Sequence, residues 1–242
     1  MFSKKLRPEP ALVPPMELNV DVDKWENSPQ KHSPPRVQSA VRQDETRRQV
    51  EDMLDHHVIR PCTDPISSYS QVLLTPKSNG QYRFCIDFRN LNALTKSLIW
   101  PIPNIQAMIE RLGNKRPQYF AIMDLTKGYY QAPSAESSRH FTAFITLMGL
   151  YEWTRVPMGL KGAPAYFQRV MATVVLAGLI YSICEVYLDD VIVYASSIDE
   201  LITNLTKVFE RFRKHNITLN PEKCRFGMRE TEYVGRVINS EG

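Results

Sequence analysis

The stretch from Cys184 to Tyr194 constrains this chain more than any other. It reads as two apolar arms, Cys184–Leu188 and Val191–Tyr194, on either side of a tight turn that carries Asp189 and Asp190. Short apolar arms joined by turn residues predict a β-hairpin. Aspartate is a good turn former, so the acid pair alone does not argue for function. A second very apolar strand, Tyr119–Asp124, ends in Asp124. A carboxylate at the end of such a run must be solvated, paired or bound to a metal.

The surrounding pattern tells how these strands are joined. A helix is expected from about Glu45 to Asp55, with Val50, Leu54 and Val58 as its apolar stripe and Pro61 as its stop. Val72–Leu74 and Tyr82–Ile86 read as a hairpin around a basic tip, Pro76-Lys77-Ser78-Asn79-Gly80. Asn104 is a natural N-cap for a helix with Ile105, Met108, Ile109 and Leu112 on one face and Gly113 as its stop. Short strands are expected at Phe141–Thr146 and Tyr151–Arg155, and a helix from Ala163 to about Ala177. Another helix starts near Ser197, with Leu201, Leu205, Val208, Phe209 and Phe212 on its buried face. A last strand is expected at Tyr233–Ile238. Leaving out the two short strands, the order from residue 118 is β-α-β-β-α-β, the split βαβ layout.

Composition excludes several classes. The 242 residues are 43% hydrophobic, enough to bury a sizeable core. Basic residues outnumber acidic ones by 30 to 26, a net +4 that permits a nucleic-acid partner without demanding one. Cys62, Cys85, Cys184 and Cys224 form no CxxC pair, which argues against a zinc knuckle or a disulfide framework. The five histidines show no metal or triad spacing. The longest apolar run, Val170–Ile183, is too short to span a bilayer, and no secretory signal opens the chain. No membrane partner is expected, and the location expected is intracellular rather than secreted. Seven of the 17 prolines fall within residues 1–36, so residues 1–43 are expected to be an unstructured tail or linker.

In the split βαβ layout the first strand and the central hairpin can lie side by side. Asp124 and Asp189 then become neighbours across a long separation in sequence. Clustered carboxylates repel one another unless a cation sits between them. Hard oxygen ligands of this kind suit Mg²⁺, which takes one or two carboxylates together with phosphate oxygens. Two such ions can activate a hydroxyl and stabilise a leaving oxygen in phosphoryl transfer. Charge is distributed accordingly: from Gln71 to Lys127 there are eight basic residues against three acidic ones.

Six stretches, in order, resemble the polymerase motifs of reverse transcriptases, in particular those of gypsy-type long-terminal-repeat retrotransposons. They are Tyr82–Asn92, Ile122–Gln131, Val156–Gln168, Tyr187–Asp190, Leu219–Cys224 and Tyr233–Gly235. The resemblance spans roughly residues 44 to 242. It implies an α+β right-hand polymerase with fingers (44–117) and a palm (118–242). Part of the fingers is then inserted near 131–157, and the chain ends after a primer-grip-like strand with the thumb absent. It implies an RNA-directed DNA polymerase with two Mg²⁺ ions, for which Mn²⁺ can substitute. Its partners would be an RNA or DNA template with primer and deoxynucleoside triphosphates, in the cytoplasm or in virus-like particles.

Carried over residue by residue, Asp124, Asp189 and Asp190 would be the catalytic, metal-binding carboxylates. Arg83, Lys77, Lys127, Tyr129, Met158 and Gly159 would bind the nucleotide. A guanidinium such as that of Arg83 matches phosphate oxygens in a bidentate way. Tyr129, packed against the sugar pocket, would exclude a 2′-hydroxyl. Met158 stands where family members often carry Phe or Gln. Lys223 matches a lysine proposed as proton donor to pyrophosphate, and Val234-Gly235 the primer grip. Two other readings stand beside this one. One is a catalytically silent retroelement remnant or nucleic-acid-binding fragment. The other is a nucleotide-cyclase-like palm, which would leave Arg83 and the Met158–Gln168 loop unexplained.

Overall fold

The computed structural model describes residues 1–27, 34–78 and 80–239; Asn79 of the basic tip and Pro29 lie outside these residues. In chain order the elements are α1 (Val22–Glu26), α2 (Ala40–Asp55), β1 (Ile59–Pro61), β2 (Ser70–Pro76), β3 (Tyr82–Ile86), α3 (Arg89–Leu94), α4 (Ile105–Lys115), β4 (Tyr119–Asp124), α5 (Glu136–Arg139), β5 (Phe144–Thr146), β6 (Gly149–Trp153), α6 (Ala163–Val170), β7 (Cys184–Tyr187), β8 (Asp190–Ala195), α7 (Ile198–Lys214), β9 (Arg225–Met228), β10 (Glu230–Tyr233) and β11 (Arg236–Asn239). The fold is α+β.

Strands β4 and β8 alternate between two cores, as a period of two requires. Ala121, Met123, Val191 and Val193 face the larger core with Phe167 of α6 and Leu201, Val208 and Phe212 of α7. Phe120, Ile192 and Tyr194 face a smaller core with Met108 and Leu112 of α4 and with Tyr233 and Ile238. Both faces are therefore covered. The resulting sheet is antiparallel, in the order β7-β8-β4-β9. A second, five-stranded sheet runs β1-β6-β5-β2-β3, with β2 and β5 as its parallel pair. The cap expected at Asn104 forms: its side chain accepts from the Ala107 N–H at 3.0 Å. The four cysteines are free. No helix among the described residues is long and apolar enough to cross a membrane.

Several expectations need correction. Residues 1–27 are not an unstructured tail. They form a packed strap with Leu6, Ala11, Met16 and Trp25 buried. The prolines are compatible with this because the intervening residues supply the donors. Ser3 N–H reaches Leu219 C=O at 3.0 Å, Ala11 N–H reaches Gln131 C=O at 2.7 Å, and Met16 N–H reaches Pro133 C=O at 2.9 Å. From the other side, Arg155 donates to Pro8 C=O, Tyr166 Oη to Pro14 C=O at 2.6 Å, and Arg7 donates to Asn216 Oδ1 at 2.6 Å. Helix α2 begins at Ala40, inside the segment read as linker, and ends at Asp55, well before Pro61; His57 turns the chain with φ 52°. Helix α4 runs through Gly113 and stops at the left-handed Arg116. Helix α6 ends at Val170 and continues as a π-helical turn to Val175. The fourth strand beside β4 is β9, whereas Val234-Gly235 is the turn of the separate β10–β11 hairpin. That turn has φ 47° and 75° at its two central residues, a combination suited to the right-handed twist of a hairpin.

Candidate active site

Strand pairing brings the predicted acids together. Asp124, the last residue of β4, lies directly opposite Asp190, the first of β8. Directly opposed side chains stand about 5 Å apart at Cβ, so two carboxylates share one sheet end. Asp189 occupies the β7–β8 turn beside them. Burial pushes the carboxyl of Asp189 up, and Asp124 adds to the effect. Asp190 is pushed up to about 6, by burial first and then by Asp189 and Asp124. Among the described residues, the cation set directly on the group is Lys223, whose Nζ stands 3.1 Å from Asp124 Oδ2. Both effects reflect burial first, with the negative charge of neighbouring acids added to it.

The turn itself is strained. Leu188 has φ 56°, a left-handed conformation that costs a branched residue about 1–2 kcal/mol. Three contacts hold it. Gln168 on α6 accepts from Leu188 N–H at 2.7 Å and donates to Val186 C=O at 3.1 Å. The buried Tyr233 hydroxyl donates to Asp190 C=O at 3.2 Å. On the opposite side, Gly128 leaves room for the Asp189 side chain, because a β-carbon there would stand 2.9 Å from Asp189 Cβ.

Asp124 and Asp189 open onto a groove of about 460 Å³ lined also by Lys77, Arg83, Lys127, Met158 and Lys223. Arg83 projects from β3, opposite Thr75 on β2, and is exposed. Lys127 is left-handed, φ 47°, and its Nζ lies 3.4 Å from Asp52 Oδ2 of α2. Tyr129 packs edge-on against Phe167, ring centroids 5.2 Å apart; burial, then Asp189, pushes its phenol up to about 12. Gly159 lies outside the groove lining, with φ 95°, and its carbonyl accepts from Asn92 Nδ2 at 2.8 Å. Asn92 also accepts from Lys161 N–H at 2.9 Å, so it moors the loop that carries Met158. Val234 and Gly235 stand off the groove; Tyr233 ties their hairpin to Asp190. Sequence reasoning gave no role to Gln168, Gly128, Asn92 or Tyr233, although each lies in a quoted motif. What singles them out is contact with the backbone of the site or, for Gly128, with the Asp189 side chain, which spacing does not reveal.

Among the described residues no three His, Cys, Asp or Glu side chains already form a metal cage. The acid set nonetheless fits a hard divalent cation that draws further oxygens from phosphates. A cation there would offset the charge of Asp124, which adds to burial in raising both Asp189 and Asp190.

Residues 75–238 match the family model described as reverse transcriptase (RNA-dependent DNA polymerase). The chain belongs to this family. It is 40% identical over 201 residues to the retrovirus-related Pol polyprotein from transposon opus of Drosophila melanogaster, covering 82% of this chain and 20% of that protein. To the Pol polyprotein from transposon gypsy of the same organism it is 32% identical over 203 residues, covering 82% and 19%. The chain thus spans about a fifth of the length of these relatives. The fold resembles a foamy viral protease–reverse transcriptase in complex with RNA/DNA hybrid, with a TM-score of 0.84 and 20% identity over 99% of this chain and 31% of that one. A second foamy viral structure, in complex with double-stranded DNA, gives 0.77 and 19% over 95% and 39%.

Proposed function

We propose that this chain is the RNA-directed DNA polymerase domain of a gypsy-type retrotransposon Pol protein, a nucleotidyltransferase that extends a primer on an RNA or DNA template. The observation that carries this reading is the register pairing of Asp124 with Asp190, beside Asp189, at the mouth of a groove lined with basic side chains. Asp124, Asp189 and Asp190 would hold two Mg²⁺ ions, or Mn²⁺ in their place. The ions, when bound, supply Lewis-acid activation of the primer hydroxyl and charge neutralisation on the phosphates.

The chain's own residues do the rest. Arg83 and Lys77 bind the triphosphate, and Lys127, Met158 and Gly159 complete the nucleotide site. Tyr129 closes the space where a 2′-hydroxyl would lie. The primer 3′-oxygen forms its bond to the α-phosphorus as the bond to pyrophosphate breaks. The hydroxyl proton leaves to solvent, and Lys223 donates a proton to pyrophosphate. The Val234-Gly235 turn steadies the primer end. Residues 44–117 form the fingers and 118–242 the palm. In support, β5 and β6, from the stretch near 131–157, join the sheet of β1, β2 and β3 rather than that of β4. Such an enzyme works inside the cell, in the cytoplasm or in virus-like particles.

The test is primer extension on a homopolymer RNA template with Mg²⁺, comparing wild type with Asp189→Asn. Extension by the first and its loss in the second is expected. Template binding without extension by wild type would instead favour a nucleic-acid-binding remnant.

A further inference from the structure

Helix α6 places three consecutive buried residues against different parts of the molecule. Tyr166 grips the strap at Pro14, Phe167 backs the Tyr129 ring, and Gln168 turns toward the acid-bearing hairpin. Gln168 is 2% exposed, and both ends of its carboxamide are used. One contact requires an acceptor, for Leu188 N–H at 2.7 Å, and the other a donor, for Val186 C=O at 3.1 Å. The two requirements fix which way round the amide stands.

The backbone it holds is one that would not choose its own shape. Tyr187 and Asp190 close the hairpin as a register pair, leaving Leu188 and Asp189 as a two-residue loop. Leu188 takes φ 56° at the first loop position, where glycine is the usual occupant. A leucine there tends to relax toward negative φ, and that rotation would swing the Asp189 backbone, and with it the carboxylates on either side of the loop's end. A buried amide bonded to both Leu188 N–H and Val186 C=O fixes the backbone that enters Leu188 and opposes the rotation.

We infer that Gln168 is a positioning residue for Asp189 and Asp190, acting through Leu188 rather than on substrate. The inference rests on the polymerase reading for its consequence in catalysis, but not for the clamp itself. Gln168→Met keeps length and apolar packing while removing both hydrogen bonds. In this variant kcat for primer extension should fall about 10- to 100-fold, with KM for the deoxynucleotide unchanged. Exchange of the Leu188 amide hydrogen should quicken about tenfold while the fold persists. In a Leu188→Gly background, where left-handed φ carries no strain, the same substitution should lower kcat far less. Gln168→Glu, which keeps the acceptor but loses the donor, should fall between Gln168→Met and wild type.

Equal extension and equal Leu188 exchange in wild type and Gln168→Met would overturn the inference. So would an undiminished loss in the Leu188→Gly background. A wild type that fails to extend primer defeats the polymerase reading instead, and Leu188 exchange then judges the clamp alone.

Discussion

Gly128 and Asp189 are in steric register: a β-carbon on the glycine would stand 2.9 Å from Asp189 Cβ. The φ of Gly128 is negative, so backbone strain is not what asks for glycine here. Gly128→Ala would ordinarily stabilise a protein slightly by restricting the unfolded chain. Here it should cost about 1–3 kcal/mol through overpacking and reduce primer extension by about 100-fold. Denaturant unfolding and steady-state kinetics on one variant measure both.

The strap over residues 1–27 can be tested separately from catalysis. Met16 is buried, and its Cε lies 3.3 Å from where a β-carbon on Gly162 would sit. Met16→Ala should destabilise the chain by about 2–5 kcal/mol in urea unfolding. Leu12→Ala, on a strap residue that is 64% exposed, should stay within about 0.5 kcal/mol of wild type. In a free linker Met16→Ala would be as silent as Leu12→Ala.

Arg111 and Glu185 form a two-bond ion pair at 2.9 and 3.1 Å beneath the palm sheet, and the Glu185 side chain is 1% exposed. Arg111→Met leaves that carboxylate buried without its partner and should cost about 3 kcal/mol. Adding Glu185→Leu removes the stranded charge, and the double variant should recover to within about 1 kcal/mol of wild type. Thermal unfolding of the three proteins completes the comparison.

Tyr129, Tyr130, Tyr166, Tyr194 and Tyr233 all have phenols raised, with burial as the first cause. In the unfolded chain these groups lose their protons near pH 10, whereas folded Tyr129 keeps its own to about 12. The unfolded state therefore binds fewer protons above pH 10, and stability should fall as pH climbs from there. Phenolate absorbance from these residues should appear together with the loss of far-ultraviolet ellipticity. Ionisation well before unfolding would contradict the burial of the group.

Tyr129 also carries the proposed sugar discrimination. Tyr129→Val should raise ribonucleotide incorporation relative to deoxynucleotide by about 100-fold, read from the ratio of kcat/KM values. An unchanged ratio would reduce Tyr129 to a packing partner of Phe167.

Much of this site was legible because its chemistry depends on residue type. Asp124 ends one apolar strand, Asp189 and Asp190 stand at the turn between two others, and Asn104 caps a periodic helix, so pattern places them even where it does not assign their role. The strap was misread because proline content was taken as disorder. Its burial depends on partners such as Asn216 and Gln131, which no local window contains. Strand β9 escaped notice because Gly227, with φ 68°, and exposed neighbours break the period-two signal. Gln168 holds the backbone of another element and Gly128 makes room for a side chain on it, and composition leaves no trace of such contacts.

The strap sets an order of events for the nascent chain. Arg7 meets Asn216 across 209 residues, and Ser3 and Met1 pair with Leu219. None of these bonds can close until the ribosome has released α7 and the turn beyond it. Residues 1–7 therefore cannot take their final place until residues 216–219, synthesised long after them, are available to receive them.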